Sequence, residues 1–86
     1  MTNTIQITRS ARTQIDALPA STKQRIASVI ASLASNPRPP GTKKLVNQQN
    51  RWRVRAGDYR VVYEIQDRAL IVLIVRVAHR AEVCRC

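Results

Sequence analysis

A chain of 86 residues makes a single domain, 1–86, near the lower limit for unaided folding. It buries roughly 60% of its unfolded surface, which leaves no room for a second core or for a deep cavity around a large cofactor. Fifteen Lys and Arg against five Asp and Glu give a net charge of +10. A polyanionic partner is therefore expected (RNA, DNA or an acidic protein), while the hydrophobic fraction of 44% excludes a wholly disordered chain.

The opening "MTNTIQITRS" has no apolar run behind a basic start, so no secretory signal is expected and the expected compartment is the cytoplasm. Ile5 and Ile7 alternate and predict a short first strand. Ser10 or Thr8 offers a helix N-cap, with Ala11, Ile15 and Leu18 at helical spacing behind it. Pro19 interrupts. A second, longer helix follows, capped near Ser21 or Thr22, with Ile26, Val29, Ile30 and Leu33 as its apolar stripe. "NPRPPG" (36–41) closes that helix in a loop.

"KKLVNQQN" (43–50) carries no clear periodicity. "RWRVRAG" (51–57) alternates, with Trp52 and Val54 on one face and Arg51, Arg53 and Arg55 on the other. Gly57-Asp58 marks a turn. "DYRVVYEI" (58–65) then sets Tyr59, Val61, Tyr63 and Ile65 on a core face and Arg60, Val62 and Glu64 opposite. "QDRA" (66–69) marks a second turn, and "LIVLIVRVAHR" (70–80) reads as a central strand covered on both sides up to Arg76. The apolar run Ala69–Val75 is far too short to span a bilayer. The expected class is α+β in the order β-α-α-β-β-β, a small, mostly antiparallel sheet with a two-helix hairpin on one face.

All the cations but Lys23, Lys43 and Lys44 are arginine, whose planar fork suits phosphate. Arg53 and Arg55 leave one strand on the same side, Arg60 joins them if the turn pairs its strands, and Arg76 and Arg80 share a parity on the last strand. Lys43, Lys44, Arg51, Arg76 and His79 are candidate RNA-binding residues around that face. Arg51, Arg53 and Arg55 also suit an ordinary solvated strand. Arg76 could pair with Glu64, and His79 could be purely structural. Cys84 and Cys86 form neither a disulfide framework nor a zinc pattern, and no metal site or cofactor is expected. Arginine charge, one histidine, Glu82 and a thiol suit a metal-free reaction in which RNA supplies its own 2′-hydroxyl nucleophile.

The segments "WRVRAGDYRVVYEI" and "LIVLIVRVAHRAEV", with "LPASTKQRIASVIASLASNPRP" as the helical hairpin, resemble the RelE/ParE toxin superfamily of bacterial type II toxin–antitoxin systems over nearly the whole chain. The resemblance implies the same fold and, in its RelE-type branch, an open sheet face that docks in the ribosomal A site and cuts mRNA there. It assigns Arg60 to the scissile phosphate and Arg80 to the transition state, with Arg53 and Arg55 in RNA binding and catalysis. Where the family pattern after "HRAEV" carries a tyrosine, this chain has Cys84. That change removes a stacking platform worth ~1–3 kcal/mol and leaves either a thiol base, its pKa lowered by Arg80 or Arg85, or a weakened toxin. A ParE-like gyrase poison that cuts nothing is the alternative, as is a relative that only binds its antitoxin. In each case the implied partner is a small acidic antitoxin in a hetero-oligomeric complex, with ribosome and mRNA as further partners of the nuclease and no membrane.

Overall fold

The computed structural model describes residues 3–45 and 50–79. The element order is β1 (Thr4–Ile7), α1 (Arg9–Asp16), α2 (Ala20–Ser35), β2 (Lys43–Lys44), β3 (Arg51–Ala56), β4 (Tyr59–Gln66) and β5 (Ile71–His79). The strands form one sheet in the order β1-β5-β4-β3-β2. Only β1 and β5 run parallel; the other pairs are antiparallel. The expected α+β architecture holds, with one strand more than the alternation showed: Lys43 and Lys44 pair with Arg53 and Trp52 at the sheet edge.

Thr8 caps α1, its hydroxyl accepting from the Ala11 N–H at 3.2 Å. The cap of α2 corrects the sequence reading, because the helix starts at Ala20 with Pro19 as N-cap. Proline fixes φ near the value the chain needs there but has no side-chain oxygen, so Ser21 and Thr22 lie inside the first turn. Ala11, Ile26, Ile30 and Leu33 pack against Val54, Val61, Tyr63, Ile65, Val72, Ile74 and Val77. Both helices thus cover the Trp52/Tyr63 face and leave the opposite face of the sheet open.

Gly57 joins β3 to β4 with φ of +64° at the first central position of a two-residue turn, where a type II′ hairpin needs a positive φ; this suits the order Gly-Asp. In β5 the register shifts: Val62 pairs with Arg76, whereas Tyr63 pairs with Ile74. Val75 is therefore an extra residue, a bulge that reverses parity along the strand. It puts Val72 and Ile74 in the core while Arg76 and Ala78 face the open side with Arg60. Beyond the reach of β1, the Val77 N–H donates to the Gln14 side-chain oxygen at 2.7 Å, so α1 satisfies the strand's free edge. Central as β5 is, its open side is not fully covered: Ile71, Leu73 and Val75 are half-buried. Leu70 belongs to the turn, with φ of +55°, rather than to the strand.

Candidate nucleic-acid interface on the open sheet face

The hairpin register places Arg55 directly opposite Arg60 and Arg53 opposite Val62, with Lys43 beyond Arg53. Directly opposed residues stand about 4.5–5.5 Å apart at Cα, and opposed like charges destabilise a sheet. Lys43, Arg53, Arg55 and Arg60, with Gly41, line a cleft of about 250 Å³ that no carboxylate among the described residues enters. A small apolar cluster of Leu45, Val62 and Ala78, backed by Val75, lies on the same face, with Val62 opposite Arg53 and Ala78 opposite Arg60.

Arg60 is half-buried, and its Nη1 is fully buried with no hydrogen-bond partner among the described residues. A buried donor left unmet costs about 1–3 kcal/mol. Arg55 is more tightly held, its Nε donating to the Gly57 carbonyl at 3.0 Å. Four cations with one unmet donor make a site that can bind an oxyanion and stabilise charge as it develops. The cleft residues on their own offer no general base.

The expected residues do not all gather here. Lys44 pairs with Trp52 and lies over its ring at 5.9 Å, on the side facing the helices, where Arg38 also approaches that ring at 5.0 Å. His79 lies on that same side, edge-on to Tyr59 with ring centroids 5.5 Å apart. Strand alternation sends neighbouring residues to opposite faces, and this separates both from the arginines. Arg51 is on the open face opposite Glu64, while Arg76 lies opposite Val62. Arg80 and Cys84 fall outside the described residues.

The cleft's outer wall is braced by contacts the sequence did not reveal. The Tyr63 hydroxyl donates to the Pro37 carbonyl at 2.7 Å and lies 3.3 Å from the Thr42 hydroxyl. Burial raises the phenol's pKa, opposed by the Thr42 hydrogen bond and the charge of Arg38. Arg38 in turn bridges to Asp67 at 3.1 Å. These links tie the 36–42 loop to β4 and so position Gly41 and Lys43.

Among solved structures, the archaeal RelE–RelB complex from Pyrococcus horikoshii OT3 contains a chain 24% identical to this one. It superposes with a TM-score of 0.84, over 96% of this chain and 100% of that one. The RelBE2 toxin–antitoxin complex of Mycobacterium tuberculosis matches at 28% identity and TM-score 0.80, over 93% and 100%. The YoeB/ParE toxin from Agrobacterium tumefaciens matches at 16% and 0.76, over 88% and 96%. No curated protein matches. The family model for the ParE toxin of type II toxin–antitoxin systems matches residues 5–84. With that match spanning nearly all of the sequence on a shared fold, the chain belongs to the RelE/ParE superfamily, as a toxin of a type II toxin–antitoxin system.

Proposed function

We propose that this toxin is a ribosome-dependent mRNA endoribonuclease that works without a metal ion. The observation that carries the reading is Arg60: its buried Nη1, with no partner among the described residues and beside Lys43, Arg53 and Arg55, suits the binding of a phosphate oxygen. The 2′-hydroxyl oxygen of the substrate attacks the adjacent phosphorus, the P–O5′ bond breaks, and the departing 5′-oxygen takes a proton from solvent, leaving a 2′,3′-cyclic phosphate and a 5′-hydroxyl. The guanidinium groups of Arg53, Arg55 and Arg60, with Arg80, stabilise the charge added to the phosphoryl oxygens. Losing one such donor costs about 3–4 kcal/mol of barrier, or 10²–10³ in rate. Cys84 takes the place of the family's tyrosine and accepts the 2′-hydroxyl proton as its thiolate. A Cys84→Ser protein that cuts as fast as the parent would remove that role.

The cognate partner is a small acidic antitoxin that neutralises the basic surface in a hetero-oligomeric complex in the cytoplasm. Among the described residues no helix is long and apolar enough to cross a membrane. The test of function is mRNA cleavage on translating ribosomes by the parent, Arg60→Ala and Arg80→Ala. Cuts within the A-site codon that both variants lose support the nuclease. The matching family model is named for ParE, which favours gyrase poisoning as the second reading; uncut mRNA with supercoiling inhibited would establish it.

A further inference from the structure

A second basic hollow, of about 390 Å³, lies round the β3–β4 turn from the cleft. It is lined by Ser21, Thr22 and Arg25 of α2 and by Arg55, Gly57 and Asp58. Arg55 lines both hollows, so the two adjoin at its side chain. Two guanidinium groups from different elements are held against one glycine here. Arg55 donates its Nε–H to the Gly57 carbonyl at 3.0 Å. Arg25 lies across the other side, its Nη1 only 3.1 Å and its Cδ 3.3 Å from where a Gly57 Cβ would stand. The absent side chain thus lets the Arg25 guanidinium settle on the turn. Neither arginine has a salt bridge to a carboxylate among the described residues, although Asp58 lines the same hollow.

We infer that this hollow is a second phosphate subsite, taking the backbone phosphate next along the strand from the one held beside Arg60. The inference rests on the cleft being an RNA site. Two like charges gathered over one residue repel until an anion lies between them, and a guanidinium pair offers a phosphodiester several donors at once. Arg55 lies between the subsites, two residues along β3 from Arg53. The Ser21 and Thr22 hydroxyls add neutral donors. Contacts of this kind fix register without reading bases, so the subsite sets where along the strand the cut falls.

The test is the salt dependence of binding of a six-nucleotide 2′-O-methyl RNA, which lacks the 2′-hydroxyl nucleophile, to the parent, Arg25→Ala, Asp58→Asn and Arg60→Ala. Arg25 and Asp58 are exposed, so their variants keep the fold. Arg25→Ala is expected to weaken binding roughly tenfold at low salt and to flatten the log–log salt slope by about 0.7, one phosphate of a single strand. Asp58→Asn is expected to tighten binding. Inorganic phosphate should also shift the Gly57 and Asp58 amide resonances of the parent but not of Arg25→Ala. Loss of affinity in Arg60→Ala with Arg25→Ala unchanged would overturn the subsite and leave the cleft reading standing. If the parent does not bind RNA, the cleft reading fails. Phosphate shifts that persist at Gly57 would then keep an anion site there, and their absence would overturn that as well.

Discussion

Replacing Arg60 by methionine should make the protein more stable while slowing cleavage by about 10²–10³. The unbranched thioether keeps much of the aliphatic packing of the arginine stem against the Ala78 side of the sheet. The change removes a buried Nη1 that has no partner among the described residues, a liability of about 1–3 kcal/mol. It also removes the charge directly opposite Arg55, worth about 0.2–1 kcal/mol. Even the lower end, about 1 kcal/mol, raises the melting temperature of a domain this size by about 4–8 °C. Melting followed by circular dichroism tests this in low-phosphate buffer. Adding inorganic phosphate should then stabilise the parent more than the variant, because the variant keeps the hollow beside Gly57 but has lost the anion site of the cleft. A variant that melts at or below the parent's temperature would show that Nη1 carries no penalty, and the case for a preformed anion site would lose its main support.

The Tyr63 phenol has a folded-state pKa raised above the ordinary value of 10.0, so its stabilising contribution is complete below pH 10 and is lost as pH climbs through the raised value. Tyr63→Phe should cost about 1–2 kcal/mol at pH 8 by leaving the Pro37 carbonyl unmet. Urea titrations should show that deficit shrinking above pH 10. Lys43→Ala should weaken RNA binding and flatten its salt dependence. Lys44→Ala should instead alter Trp52 fluorescence with little change in affinity, since Lys44 lies over that ring. Gly57→Ala should lower stability by more than about 1 kcal/mol in the same urea assay, because alanine is strained at φ of +64° and meets Arg25 at 3.1 Å.

Most of the scaffold was legible because its signals are periodic. The stripe through Ile26, Ile30 and Leu33 and the alternation of Tyr59, Val61, Tyr63 and Ile65 each fixed one buried face. The alternating arginines of β3 fixed the face that the cleft uses. What escaped had no period to read. A two-residue strand at Lys43–Lys44 is too short to alternate, so parity could not separate Lys43 from Lys44. The bulge at Val75 leaves no mark in an all-apolar run, yet it decides which side of β5 meets Arg60. Arg25 lies some thirty residues from Arg55 in sequence, and only the folded turn brings both against Gly57. The N-cap of α2 was placed by the preference for Ser and Thr, which the fixed φ of Pro19 overrode.

The central claim is that the substrate's own 2′-hydroxyl attacks within a cleft of arginines. Its most direct test is a ribosome programmed with mRNA carrying one 2′-deoxy sugar at the scissile position of the A-site codon. The parent protein should cut the all-ribose message, leaving a 2′,3′-cyclic phosphate, and leave the 2′-deoxy message whole. Equal cutting of both would contradict the nucleophile, and cutting of neither would contradict the nuclease.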